Sequence, residues 1–434
     1  MRLLTRNARL ASPLSVGLAV TRIERSPGCV EDTTLLDIIL HLSRVLYFRI
    51  DFYGIIALVE SCQPVFEKVG DPHRLGRFLF ETGYAHVFSA QHEIGAPMLE
   101  RALKIGEETG DDEIIGYASL GLMFHHGYWT TPGADQCRAM LDYSENAFRI
   151  AETLGDGWLA AKSLLGPVLY FATVGKPGES RRRALRLVQY GRTSNDPRPR
   201  AMGLWSLAIT NSMYFNYEEA IANADESLAM GLCPIDQLCA QTAKAGSLVM
   251  LGRIDEALIM MEDIHLKASG GGLVILQLVS ENSHAVAKLL AGDMAGGVQC
   301  LDNWRKQAER MNYAPSRALY DLYMGEINLE MAAGEEKPPL AVMRQNIWFL
   351  LKTLPFAAGK ARRHLEEAGA FFRAYDMPAL LSWSLMDLGR LSLAKNQYDK
   401  ARVSLDEARS SAEAAEEPAL IQRIDALASA LPAL

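Results

Sequence analysis

The chain has 434 residues, of which 49% are hydrophobic and 22% charged, with a net charge of −8 and a mean hydropathy near zero. That acidic balance speaks against nucleic acid as a partner, because phosphates select a basic face. The length exceeds one ordinary core, a bound that a solenoid escapes by burying each repeat on its neighbours.

Residues 1–33 carry Arg2, Arg6, Arg9, Arg22 and Arg25 against few acids, with a brief apolar stretch from Leu14 to Val20. The stretch ends in arginines where a small-residue cleavage site would stand, so we expect a disordered leader or residues ahead of the true start. The next apolar run, Leu35 to Phe48, is broken by Asp37, His41 and Arg44 and is too short to span a bilayer. Six scattered cysteines (Cys29, Cys62, Cys137, Cys233, Cys239, Cys300), with no C-x-x-C, fit a reducing cytoplasm.

From residue 34 onward Leu, Ala, Glu, Arg and Met recur at i, i+3, i+4 and i+7, and period-2 runs are absent. Within this helical pattern one small residue repeatedly comes twelve positions after another: Gly83 and Gly95, Ala208 and Ala220, Ala245 and Ala257, Ala285 and Gly297, Gly389 and Ala401. Small residues on both members let two helix backbones approach closely, so each pair predicts a helical hairpin. Ser43 and Ile55 keep the interval in a first hairpin. Gly121 with Met140 and Gly166 with Ala184 predict longer turns, the second through Gly175-Lys176-Pro177-Gly178, and Gly325 with Ala361 encloses extra residues. Gly70-Asp71, Gly110-Asp111 and Gly155-Asp156 predict a glycine stop followed by an aspartate cap, and Pro197, Pro378 and Pro418 open later helices.

These residues resemble the tetratricopeptide repeat. The last repeat runs Trp383, Leu388-Gly389, Ala401, Leu405, Ala408; the fifth runs Trp205, Leu207-Ala208, Ala220, Ala224, Ser227. The spacing departs from the usual repeat of about 34 residues. The resemblance implies an all-α, right-handed superhelical solenoid of about nine hairpins over residues 34–434, with first helices lining the concave face. A sharper similarity lies at Gly334–Leu340, Phe349–Ala358 and Lys360–Ala368. This stretch is similar to the repeat tail of bacterial signalling proteins that carry a class III adenylate/guanylate cyclase domain and an AAA-type ATPase. The chain lacks what those domains need: no strand-rich region is present, and neither Gly175-Lys176-Pro177 nor Gly359-Lys360-Ala361 continues to the Ser or Thr of a phosphate-binding loop. H-E-x-x-H and G-x-S-x-G are absent, Gly270-Gly271-Gly272 reads as a turn, and His125-His126 reads as structural because neighbouring helical residues diverge. The basic run Arg181, Arg182, Arg183, Arg186 and Arg192 reads as a solvated helix face.

We therefore expect no enzyme, cofactor or metal, and a cytoplasmic scaffold for a protein or peptide partner, with a cyclase/ATPase signalling protein as one candidate. The alternative is a solenoid that senses a small effector. Two surfaces are candidates. One is a groove lined by Phe48, Phe80, Tyr84, Phe88, His126, Tyr170, Phe171 and Trp205, unless these rings pack between neighbouring helices. The other is an insertion helix at 335–358 inside the eighth hairpin, with Ile347, Trp348, Phe349, Leu351 and Phe356 on its apolar stripe. It either lies against the solenoid or docks a partner.

Overall fold

The computed structural model describes residues 32–231, 233–333 and 340–432. The expected leader falls outside the described residues, apart from Asp32 and Thr33, which open the first helix. Among the described residues nine hairpins run in succession. The first four are α1 (Asp32–Phe48) with α2 (Phe52–Val69), α3 (Pro72–Phe88) with α4 (His92–Thr109), α5 (Asp112–Tyr128) with α6 (Ala134–Leu154), and α7 (Gly157–Thr173) with α8 (Pro177–Thr193). Next come α9 (Pro197–Met213) with α10 (Tyr217–Leu228), α11 (Pro234–Met250) with α12 (Ile254–Gly271), and α13 (Val274–Leu290) with α14 (Met294–Arg310). In the eighth hairpin α15 (Ser316–Ala333) pairs with α18 (Ala357–Ala374), and the short α16 (Leu340–Gln345) and α17 (Ile347–Thr353) lie between them. The ninth joins α19 (Pro378–Ala394) to α20 (Tyr398–Ala414), and α21 (Pro418–Ala428) covers the C-terminal end. Among the described residues there is no strand, so the chain is an all-α solenoid.

The punctuation read from sequence has a backbone cause. Gly70, Gly110 and Gly155 sit at φ of +65°, +69° and +67°, and the side chains of Asp71, Asp111 and Asp156 accept the first amides of the following helix. Asn195, Asp376 and Glu416 adopt the same left-handed conformation just before Pro197, Pro378 and Pro418 begin a helix. The small-residue pairs mark true crossings. A Cβ on Gly95 would stand 2.5 Å from the carbonyl oxygen of Gly83, so those two backbones touch. Ala208, Ala220, Ala245, Ala257, Ala285 and Ala401 are all buried at the same depth.

The fourth hairpin corrects the expected register. Its turn is only Val174–Lys176, as short as that of the fifth hairpin and shorter than Trp129–Gly133 in the third, so the twelve-residue interval holds here too. It falls on Val168 and Ser180, however, where the Ser180 hydroxyl donates to the Val168 carbonyl at 2.9 Å. Gly166 lies two residues earlier, and a Cβ there would strike the flexible side chain of Met123 in the preceding hairpin. The insertion is also corrected. Residues 335–339 of it lie outside the described residues; over 340–358 it is no single helix, because Asn346 ends α16 and turns its side chain back onto the carbonyls of Gly292 and Val342. After α17, Pro355 restricts the chain to one 3-10 turn, Leu354–Phe356, before α18 begins.

Beyond neighbour packing, the array coils until hairpins about five apart meet. Gly271, at the end of α12, abuts the carbonyl of Ile50 in the first turn so closely that a Cβ would overlap it. Ser89 donates to the Gly272 carbonyl at 3.2 Å, and Asn312 donates to Glu93 at 3.1 Å. Further along, the Ala379 amide bonds the Gly175 carbonyl at 3.0 Å and the Gly178 amide bonds the Ala415 carbonyl at 3.2 Å. Lys176 pairs with Asp376 at 2.6 Å, Arg181 with Glu417 at 2.7 Å, and Arg182 with Glu416. The rim of turns inside the early hairpins thus seats on the rim of junctions between the late ones. Much of the concave face is closed by the chain itself.

Candidate binding surfaces

The inner face is built by first helices, and in the early hairpins it is packed solid. Phe80, Tyr84, Tyr170, Phe171 and Trp205 are buried, and Phe48, Phe88 and His126 are half-buried. Tyr84 alone meets Tyr47, Phe80, Phe88 and Phe124 at centroid distances of 6.1, 5.3, 4.7 and 5.9 Å. Edge and tilted contacts of this kind add to the area they bury. Tyr47 further touches Trp158 at 5.6 Å, and the Arg198 guanidinium lies 4.9 Å from the Phe48 ring, so helices from hairpins one, four and five converge. Of the two readings of these rings, the structure shows mutual packing. His126 stacks on Tyr143 of α6, 5.6 Å away, which turns it toward its own partner helix and away from the strip. In the fourth hairpin the shift in register explains why Tyr170 and Phe171 do not continue the ladder in step.

His125 and His126 sit with His92 in an aromatic stack that ends on Trp129. Burial, then the neighbouring His126 and His92, push the His125 pKa down to about 4, so its ring is neutral at pH 7. The described side chains offer one group with ligand atoms close enough for a metal: Asp321, His364 and Glu367, within 4.8 Å of one another. There the His364 ring is already hydrogen-bonded to Asp321 at 2.7 Å, and Arg317 and Arg363 stand beside the two carboxylates. We read it as a charge-paired helix contact. Sequence spacing gave no sign of it, because α15 and α18 are separated by the insertion.

Toward the late hairpins the inner face is more polar. Tyr323, Glu326 and Glu330 share one face of α15; Trp383, Asp387 and Arg390 share the facing side of α19. Trp383 also meets Phe215, in the turn of the fifth hairpin, at 4.7 Å, and the Arg423 guanidinium lies 4.0 Å over that Phe215 ring. Glu326 and Tyr323 sit among neighbouring helices yet keep partial exposure, as do Tyr128 and Tyr313. Burial, followed by the carboxylates of Asp387 and Glu330, holds the Glu326 carboxyl well above the ordinary range; burial does the same to Asp387, with Arg390 pulling back. None of these residues stands out in the sequence as a site. The available signal is an acid beside the hairpin centre in two successive first helices.

The insertion is the outer surface of interest. Trp348 is 76% exposed, Phe356 64%, Leu351 59% and Ile347 45%, while Phe349 is partly covered. Only Thr353 of α17 is buried, and the hold on the solenoid runs through Asn346, whose Oδ1 accepts the Met294 amide at 3.1 Å. Such a cluster of large exposed apolar side chains is what interaction surfaces present.

No family model matches the sequence, and no curated protein matches it. Among solved structures, a Rap protein complexed with competence and sporulation factor aligns at 14% identity with a TM-score of 0.47, over 85% of this chain and 99% of that one. The assignment as a helical-repeat solenoid rests on the hairpins described above. No helix of the described residues is long and apolar enough to cross a membrane.

Proposed function

We propose that the chain is a non-catalytic helical-repeat scaffold that holds a protein partner on the insertion of its eighth hairpin. The observation that carries this reading is the exposure of Trp348, Leu351 and Phe356 on a short element anchored at one polar point. A folded chain exposes such a group at a cost unless something covers it. The sequence around 334–410 resembles the tails of cyclase/ATPase signalling proteins, and we take the partner to be a protein of that signalling type. Its docking element would be an apolar helix or strip able to surround the Trp348 indole.

The test is co-purification with wild-type, Trp348→Glu and Phe356→Glu chains. A defined partner retained by wild type and lost from both variants supports the reading; equal recovery by all three sinks it. Turnover of ATP or synthesis of a cyclic nucleotide by the purified chain would overturn the non-catalytic part. A second reading, a small effector held between α15 and α19, is favoured by one observation. The carboxyl groups of Glu326 and Asp387 stand together there, and Asp387 Oδ2 has no hydrogen-bond partner among the described residues.

A further inference from the structure

Helices α15 and α19 run side by side and present three rungs to each other. At one end the Tyr323 and Trp383 rings meet edge to face at 6.5 Å. At the other, Arg390 bridges Glu330 at 2.7 Å and Asp387 Oδ1 at 3.3 Å. The middle rung sets Glu326 opposite Asp387. Asp387 is wholly buried, and its Oδ2 has no hydrogen-bond partner among the described residues. Arg423 is near enough to influence both carboxyls, but its guanidinium lies over the Phe215 ring. The two outer rungs are complementary, and this one is not.

We propose that the Glu326–Asp387 rung is a binding site for an organic cation, a guanidinium or primary ammonium group carried by a peptide side chain or a free amine. Two carboxylates supply paired acceptors, and the adjoining, partly exposed Trp383 ring supplies a face on which such a group rests. A divalent metal would need some six oxygen ligands, which rings cannot provide. Glu326, Tyr323, Trp383 and Phe215 all retain partial exposure, so the rung is reached from the Glu326 side. While no cation is bound, the pair relieves its repulsion by retaining a proton, in keeping with the raised Glu326 carboxyl. An entering cation takes that proton's place. The site lies apart from the insertion and goes beyond the partner surface proposed there.

Calorimetry on the full chain tests this with Nα-acetyl-arginine amide as probe and Nα-acetyl-citrulline amide as its uncharged counterpart. The arginine derivative should bind with proton release, seen as a heat that varies with buffer ionisation enthalpy. The citrulline derivative should bind at least tenfold more weakly. Glu326→Gln and Asp387→Asn should each weaken the arginine derivative at least tenfold, while Glu107→Gln, on the exposed side of α4, should leave it unchanged. Far-UV circular dichroism checks the fold, and the partly exposed Glu326 variant carries the test should the Asp387 variant unfold. Agmatine and a hexapeptide with a central arginine separate the two sources: tighter binding of either supports the site and names its ligand. Equal binding of the charged and uncharged derivatives, no binding of any cation tried, or binding unaltered in Glu326→Gln overturns it.

Discussion

Arg181 and Glu417 lie 236 positions apart in sequence and 2.7 Å apart in space. The Glu417 side chain is completely buried, and its other oxygen accepts the Asn216 amide at 3.3 Å and the Ala419 backbone amide at 3.2 Å. One carboxylate therefore caps α21 and ties the fourth and fifth hairpins to the end of the ninth. A charge-assisted bond of this kind also explains part of the basic run on α8: Arg181 and Arg182 belong to the closure of the coil.

Removing the arginine leaves the buried carboxylate unpaired. Arg181→Met should destabilise the fold by roughly 3 kcal/mol, as for other broken buried pairs. Arg182→Met, whose partner Glu416 is exposed, should cost at most about 1 kcal/mol. Thermal unfolding measures both, and small-angle scattering should show expansion for Arg181→Met only. Equal losses in the two variants would refute a special role for the Glu417 contact.

The crossing glycines are not equivalent. A Cβ on Gly95 would meet backbone at 2.5 Å, whereas one on Gly389 would meet only the tip of the Leu405 side chain at 2.7 Å. Gly95→Ala should therefore cost about 1–3 kcal/mol through overpacking, and Gly389→Ala clearly less, because Leu405 can change rotamer. The larger Gly389→Leu should reach the same range as Gly95→Ala. Chemical denaturation of the three variants gives the order directly.

The Glu326–Asp387 rung also predicts a pH dependence. The folded-state pKa values are raised, so the native chain binds more protons than the unfolded chain above the ordinary carboxyl range. Stability contributed by the protonated pair is present at acidic pH and is lost as pH rises through the elevated Glu326 value. The charged groups facing the pair are Glu330, Arg390 and Arg423, and only the first adds to the repulsion. Glu326→Gln should flatten the decline, with a gain of roughly 1–2 kcal/mol under alkaline conditions, the cost of ionising a second enclosed carboxyl. Melting curves of both proteins across the pH range check this; parallel curves would contradict it.

Asn346 anchors the insertion through bonds to Gly292, Val342 and Met294. Asn346→Ala leaves the Gly292 carbonyl and the Met294 amide without this partner, a local cost of about 1–3 kcal/mol. Limited proteolysis should then cut α16 and α17 faster while the rest of the solenoid resists. Unchanged cleavage would mean that the apolar contacts hold the insertion without it.

The range of each interaction decides how much of the fold is legible in the sequence. Helix periodicity, glycine and aspartate at the junctions, and the small-residue interval act within about forty residues, so α3 with α4 or α19 with α20 can be read directly. Where two registers are locally compatible, as with Gly166 and Val168, the pattern favours the smaller residue. The observed crossing at Val168 uses the hydroxyl of Ser180, a signal that periodicity does not carry. The aromatic residues of the inner face are recognisable as a strip, but composition alone cannot distinguish a groove from a core.

That distinction belongs to the coil. Hairpin-to-hairpin packing is local and sets an all-α solenoid from residue patterns alone. Whether its concave face stays open depends on small rotations summed over five hairpins, which bring Arg181 to Glu417 and Gly271 to Ile50. The same accumulated rotation and packing fill the early part of the inner face with rings and leave two carboxyls facing each other in the late part. Sequence determined the repeats; the tertiary structure decided which surfaces they cover and which they expose.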